Sequence, residues 1–259
     1  MRFGCCVGLE QLEAVADAGY DYAELPVEAV LPEESEGAFA PVRDRLLASP
    51  VKPEAWRLHL PEDLGITGPE VGWPRLARYV YTALRRAAAV GGAVVGFCSG
   101  PSRRVPDGFP VAEAVQQAAE FLRICGVVAR GQGMVVGIEP LSPDSSNLVN
   151  SLPEAVALAR QVDLPEVGVL PNIAHMLSEG QSLLDMVDAS EWLAHVHVSS
   201  DCVASLSDEE TVRDLVSAIR MSSYDWRVSV TGNWEGNRQE LQASRERLRD
   251  WFEGTDGAP

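Results

Sequence analysis

Lysine is almost missing from this chain: Lys52 is the only one among 259 residues. It lies between Pro50 and Pro53, where a turn is expected, so a Schiff-base aldolase, which needs a desolvated lysine at a strand end, is excluded. Histidine is scarce as well. Four in the whole sequence are too few for a multi-metal endonuclease centre built from histidines and carboxylates. The five cysteines (Cys5, Cys6, Cys98, Cys125, Cys202) are odd in number and form no C-x-x-C pair, which fits a reducing, cytoplasmic compartment better than a disulfide framework. No apolar run reaches the ~18 residues of a membrane span. No apolar leader with a small-residue cleavage site follows Met1, so a secreted form is not expected. There is no G-x-S-x-G elbow or phosphate-binding glycine loop. Gly131-Gln132-Gly133 passes from helix to strand, the wrong order for a dinucleotide fingerprint, so no nucleotide cofactor is expected.

Positive charge is also short, with a formal net charge of −17. The summed field repels nucleic acid and anionic membranes, so neither is an expected partner, while a homo-oligomer is left open. The apolar fraction of 46% is ordinary and sufficient for one large core.

What is present is an alternation of short β-branched runs with longer segments of helical period, the pattern of βα units around a parallel sheet. Eight units can be drawn, with strands near Arg2–Val7, Asp21–Leu25, Glu54–Leu60, Ala93–Cys98, Met134–Glu139, Glu166–Pro171, Leu193–Val198 and Arg227–Thr231. The length suits a single (β/α)8 TIM barrel, typically of roughly 250 residues. Its expected bounds are 1–253, with a disordered tail over 254–259. Leu9, Leu12 and Ala16 stripe a first helix that Gly19 ends, and Val111, Val115, Ala118, Leu122 and Cys125 stripe a fourth. Ser151-Leu152-Pro153-Glu154 is a capping box that opens a fifth. Two loops, Pro61–Trp73 and Gly100–Pro110, are longer than closure needs, and both follow strand carboxyl ends, where barrel active sites are built.

Polar residues gather at those ends: Glu24, His59, Glu139, Asn172, His197 and Thr231. Glu139 closes a buried run, so its carboxylate has to be paired, metal-bound or catalytic. Strand alternation puts His195 and His197 on one face, with His197 nearer the rim and His195 packed beneath it. Asn172 and His175 are spaced to reach one cavity, although Asn172 would equally serve as a helix cap. Arg103 and Arg104 sit in a Gly/Pro-stiffened loop, where a guanidinium either forks onto a substrate oxygen or ties the loop to a neighbouring carboxylate. The cysteines of the first strand read as small buried hydrophobes and are left out of the site.

Four stretches, in order, carry a resemblance: Cys98 to Phe109; Glu139-Pro140-Leu141 with Asn147 and Asn150; Val167 to Met176; and His195-Val196-His197. Together they resemble the xylose isomerase-like sugar phosphate isomerase/epimerase family over about Met1 to Phe252. The resemblance implies a divalent metal held by Glu, Asp, His and Glu at the ends of strands five to eight, the two glutamates shuttling protons across an enediol. Carried over, the first glutamate is Glu139, the metal histidine His197 and the substrate-contacting histidine His175. The aspartate position holds Asn172 and the last glutamate position holds Thr231, neither a charged ligand. Glu235, four residues further on, has no evident reason to swing back. Glu139 and His197 are therefore expected to hold a divalent cation (manganese, magnesium or zinc) weakly.

The resulting expectation is an isomerase or epimerase acting on a small sugar, polyol or hydroxyketone by proton transfer next to a carbonyl. Glu139 and His175 would be catalytic, with Glu24, His59, Arg103, Asn172 and Thr231 contacting substrate. The rival is a non-catalytic sugar- or polyol-binding barrel that lost two of four metal ligands. Fold alone does not choose between them.

Overall fold

The computed structural model describes residues 1–200, 209–234 and 237–253. Cys202, Glu235 and the tail expected to be disordered lie outside the described residues. Eight strands appear in the expected order: β1 Arg2–Cys6, β2 Tyr22–Pro26, β3 Pro53–Leu58, β4 Val94–Phe97, β5 Val135–Ile138, β6 Val167–Val169, β7 Val196–Ser199 and β8 Arg227–Thr231. They form one sheet in the order β6-β5-β4-β3-β2-β1-β8-β7, and every ladder in it is parallel. Between β6 and β7 there is no continuous ladder, only the parallel bridges Val169–Leu193 and Asn172–His197. These two bridges close the barrel.

The strand ends explain part of the site. Glu139 and Asn172 lie just beyond the ends of β5 and β6, so their side chains project from the rim of the ladder. The seventh strand starts three residues later than expected because a 3₁₀ turn, Ser190–Trp192, precedes it. Alternation along the strands sorts the rest. Trp56, Leu58, Val95, Phe97, Val136, Ile138, Val196 and Val230 belong to the large core between sheet and helices, whereas Tyr22, Ala55 and Val94 form a separate buried cluster. That second cluster is the floor of the lumen. Glycines make room along the lumen: a Cβ on Gly4 would lie 2.1 Å from the Tyr22 ring at the floor, and one on Gly96, a layer above Val94, would lie 2.6 Å from Leu170.

The helices α1 Leu12–Asp17, α2 Glu36–Ala48, α3 Trp73–Ala89, α4 Val111–Gln132, α5 Leu152–Val162, α6 Ile173–Ser178, α7 Asp185–Asp188, α8 Glu209–Met221 and α9 Arg238–Glu253 occupy the intervening segments. The first is preceded by a 3₁₀ turn, Leu9–Gln11, and Gly19 beyond it takes φ +77°. Helix α4 packs its Phe121 on Phe97, with ring centroids 5.1 Å apart, and ends at Gly133 in the left-handed conformation (φ +68°), which glycine adopts without a Cβ penalty. At α5, Ser151 Oγ accepts from the Glu154 backbone N–H at 3.4 Å, as the capping box predicts. The Glu154 carboxylate instead accepts from the N–H of Asn150 at 2.8 Å, one residue before the donor expected.

The two long loops interlock. Ile66 N–H donates to the Ser102 carbonyl at 2.7 Å, and the Thr67 hydroxyl donates to the Arg104 carbonyl at 2.8 Å. Asn147 pins the second loop from the other side, accepting from Val105 N–H at 2.8 Å and donating to its carbonyl at 3.0 Å. The roof beside β4 and β5 is thereby fixed to the loop that carries Glu139.

Candidate active site

At the carboxyl end of the lumen the polar residues form one connected chain. Asn172 Nδ2 donates to Glu139 Oε1 at 2.8 Å. His197 lies between two carboxylates, its Nδ1 3.3 Å from Glu139 Oε1 and its Nε2 2.9 Å from Glu24 Oε1. The other oxygen of Glu24 meets His195 Nε2 at 2.9 Å, and His195 is also 3.0 Å from Ser229 Oγ. The Tyr22 hydroxyl, 3.0 Å from the same serine oxygen, ends the chain at the lumen floor. Glu24, Glu139, His195 and His197 are all buried.

Burial opposes charge in every member, so the ionisation states depend on who faces whom. For His197, burial pulls the imidazole toward neutrality, but Glu24, the Cys6 thiol and Glu139 outweigh it and hold its pKa well above the usual value. Burial would raise Glu139; hydrogen bonds from His197, Cys98 and Asn172 overcome that and hold it at about 2. Glu24 is likewise held well below the carboxylate range, its burial outweighed by the two histidines. His195 goes the other way, pushed down by burial despite Glu24. The result is one imidazolium flanked by two carboxylates, over a neutral imidazole.

The residues expected at the site separate into two sets. Glu139, Asn172, His197 and Glu24 are brought together, but Glu24 has both oxygens engaged by histidines and sits below His197, not at the rim. Thr231 ends β8 in register with Ser199 and faces the same side as Ser229, one layer higher. Asn172 takes both of its expected roles, since its Oδ1 also accepts from the His175 backbone N–H at 3.4 Å as the cap of α6. His175 is half-buried in the first turn of that helix, with a buried Nδ1 that has no partner. His59 is joined to Glu28, at 3.6 Å, rather than to this cluster.

Arg103 forms no salt bridge with a described residue. Its Nη2 donates to the backbone carbonyl of Glu139 at 2.7 Å, and its guanidinium lies over the Phe97 ring at 5.5 Å. Phe97 faces the helices, so Arg103 clamps the Glu139 backbone from outside the lumen. Burial pulls its pKa down to about 10, and neither Nε nor Nη1 has a partner.

The cysteines of the first strand are buried, as expected, and two cysteines also lie close to the site. Cys6, Glu24 and His197 offer donor atoms that all lie within 4.8 Å of one another, and so do Cys98, Glu139 and His197. Cys6 and Cys98 fall on the inward face by strict alternation from Gly4 and Gly96, a signal present in the sequence. The same alternation would have found Arg57, between Ala55 and His59 on β3. Its charge is felt by Cys6, Glu24, Cys98 and Glu139.

A profile described as "xylose isomerase-like TIM barrel" matches residues 12–251. The chain belongs to that family. No curated protein matches it at a significant level. Among solved structures, it is similar to a D-psicose 3-epimerase from Clostridium cellulolyticum H10 determined with D-tagatose, at 16% identity and a TM-score of 0.81 over 97% of this chain and 99% of that one. It is also similar to the 3-keto-D-glucoside 4-epimerase YcjR of E. coli, at 19% identity and a TM-score of 0.77 over 95% of this chain and 99% of that one. The IolI protein with a bound zinc atom matches at 15% identity and a TM-score of 0.72 over the full length of both chains. At these identities the likeness concerns the fold.

The family's metal can be tested against the donor set. Where an aspartate would turn an anionic oxygen inward, Asn172 turns an N–H toward Glu139. Both nitrogens of His197 already face carboxylates, leaving no lone pair for an ion, and Thr231 brings no charge. A hard divalent cation wants several anionic oxygens, so these residues do not fit the four-ligand site that the family resemblance implied. The two groups containing cysteine both include His197, so they can take a softer ion only where its imidazole has given up a proton.

Proposed function

We propose that this barrel moves a proton next to the carbonyl of a small sugar or hydroxyketone, with Glu139 as the base, polyols being alternative ligands of the same pocket. The observation that carries the reading is the Glu139 carboxylate, ionised at neutral pH and fixed at the carboxyl end of β5 by Asn172 and His197. A general base has to be positioned first and matched in pKa second. Glu139 meets the first condition. A carboxyl held at about 2 is a weak base, so proton removal from carbon proceeds only where a donor stabilises the enediolate as it forms. His175, with its unpartnered Nδ1, is one group that can polarise the carbonyl. Any divalent ion bound here is held weakly, and no step of this reading depends on it.

A specific feature favours the rival, a sugar-binding barrel without catalysis: Asn172 and Thr231 stand where two charged ligands would be needed for two-base epimerisation. Solvent deuterium exchange separates the two. Ketoses that raise the melting temperature are incubated in D2O, and incorporation at the carbon next to the carbonyl is followed by NMR. The isomerase reading expects incorporation, reduced by at least about 10²-fold in Glu139→Gln with binding largely kept. Exchange that survives the substitution places the base elsewhere. No exchange into any bound sugar leaves the binding barrel.

A further inference from the structure

Among the described residues, Arg57 is a cation on the inward face of the barrel with no assigned task. It lies on the inward face of β3, in register with Gly96 of β4, so the neighbouring strand offers no side chain against it. The glycine row continues, Gly96 pairing with Gly137 and Gly137 with Gly168. Cys6, Glu24, Cys98 and Glu139, in or just beyond four different strands, lie within electrostatic reach of its charge. Yet it makes no hydrogen bond or salt bridge with any described residue. Its Nε is buried without a partner, while the residue as a whole is partly open to solvent.

A guanidinium is a rigid fork of donors that matches a pair of oxygens. In a chain with 38 acidic residues, leaving one unpaired beside two carboxylates reserves its donors. We infer that Arg57 is a catalytic residue whose guanidinium binds the oxygens of the hydroxyketone and carries the negative charge of the enediolate, in the absence of a complete metal-ligand set.

The charges at the mouth specify the ligand further. Glu24 and Glu139 bring two negative charges, and His197 and Arg57 bring two positive ones. A neutral ketose leaves the site balanced, whereas a sugar phosphate adds two uncompensated charges. The ligand class is therefore an uncharged ketose or hydroxyketone. In the step itself, the C–H electron pair moves into the C–C bond as Glu139 takes the proton. The carbonyl π pair moves onto oxygen at the same time, where Arg57 holds it, and a proton returns from Glu139 to carbon to complete the turnover; no oxidant or co-reactant is needed.

This inference rests on the isomerase reading, and its test keeps the two apart. The probes are D-tagatose, D-fructose and dihydroxyacetone for exchange, and glycolohydroxamate, whose planar O–C–N–O group mimics the enediolate and can ionise in the site, for binding. EDTA is present throughout so that no metal mediates the hydroxamate contact. Arg57→Ala and Arg57→Lys are compared with the unmodified protein, with melting curves to confirm folding. Loss of one oxyanion donor typically costs about 10²- to 10³-fold in rate, so exchange should fall by that factor in Arg57→Ala while ketose affinity changes by only a few-fold. Hydroxamate affinity should fall with the rate, and added guanidinium chloride at millimolar concentration should restore part of the exchange in the alanine variant. Exchange and hydroxamate affinity unchanged in folded Arg57→Ala would overturn the inference. An unmodified protein that exchanges nothing yet binds hydroxamate through Arg57 would remove the isomerase reading and keep the oxyanion contact. Preferential stabilisation by phosphorylated ketoses would overturn the assignment to uncharged ligands.

Discussion

His197 decides the electrostatics of the lumen, because one imidazolium serves both Glu24 and Glu139. Its raised pKa gives stability that is fully present below the unfolded value near ~6.5 and is lost as pH rises through the folded value. Glu139 and Glu24 are depressed, so their contribution is present above the unfolded value near ~4.3 and is lost as pH falls toward the folded values. Melting temperature against pH should therefore peak between those limits. His197→Gln removes the cation that contacts both buried carboxylates. Breaking a buried pair in this way costs about 3–5 kcal/mol, and it reverses the sign of the acid limb. The carboxyls then titrate above their unfolded value, so the variant should gain stability as pH falls through neutrality. A profile parallel to that of the unmodified protein would show that the imidazolium is not what holds the carboxylates. At the same scale, Asn172→Asp with Thr231→Glu should convert weak divalent binding into stoichiometric binding in calorimetry. Tight manganese binding by the unmodified chain, at one ion per molecule, would contradict the donor-set argument.

Between residue and fold, the segment Gly100–Pro110 positions Glu139 from behind. Arg103 holds the Glu139 carbonyl, and Asn147 closes a two-bond ring with the backbone of Val105. Each such bond is worth about 0.5–1.5 kcal/mol net. Asn147→Ala should therefore cost about 1–3 kcal/mol of local stability, read as faster hydrogen exchange at the Val105 amide. Global melting should change little, because loop opening is sub-global. An unchanged Val105 amide would mean that the interlocked loops hold the segment without Asn147. The helix boundaries were legible because their signals are local: Ser151 before Pro153, and Gly133 after the α4 stripe. The displacement of Glu154 onto the Asn150 amide was not, since the chain's entry angle at a cap depends on what precedes it.

Across the whole molecule, barrel closure is uneven. Seven of the strand junctions are continuous ladders, but the β6–β7 junction is held by two isolated bridges. The amides of Ala194 and His197, which donate to Val169 and Pro171 at 2.9 Å, should exchange faster than that of Val136, which donates to Glu166 at 2.7 Å within a ladder. Equal protection would show that side-chain packing, not the ladder, sets the opening free energy there. This seam carries both Asn172 and His197, so faster exchange there would place the site where the barrel opens most easily.

The sequence by itself determined the eight-fold βα alternation, the strand-end position of Glu139, Asn172, His197 and Thr231, and the neutral character of Asn172 and Thr231, because periodicity, turn chemistry and residue identity are local properties. It also held the inward phase of Cys6, Arg57 and Cys98, for an alternation of two is readable once a single inward residue is known. What only the tertiary structure decided is which partners meet across the lumen. Glu24 met two histidines from 171 and 173 residues away, Arg103 turned to a backbone carbonyl, His59 joined Glu28, and Arg57 was left unpaired. Those outcomes depend on strand stagger and on the volumes of Gly96, Gly137 and Leu170, quantities set only when distant segments close on one another.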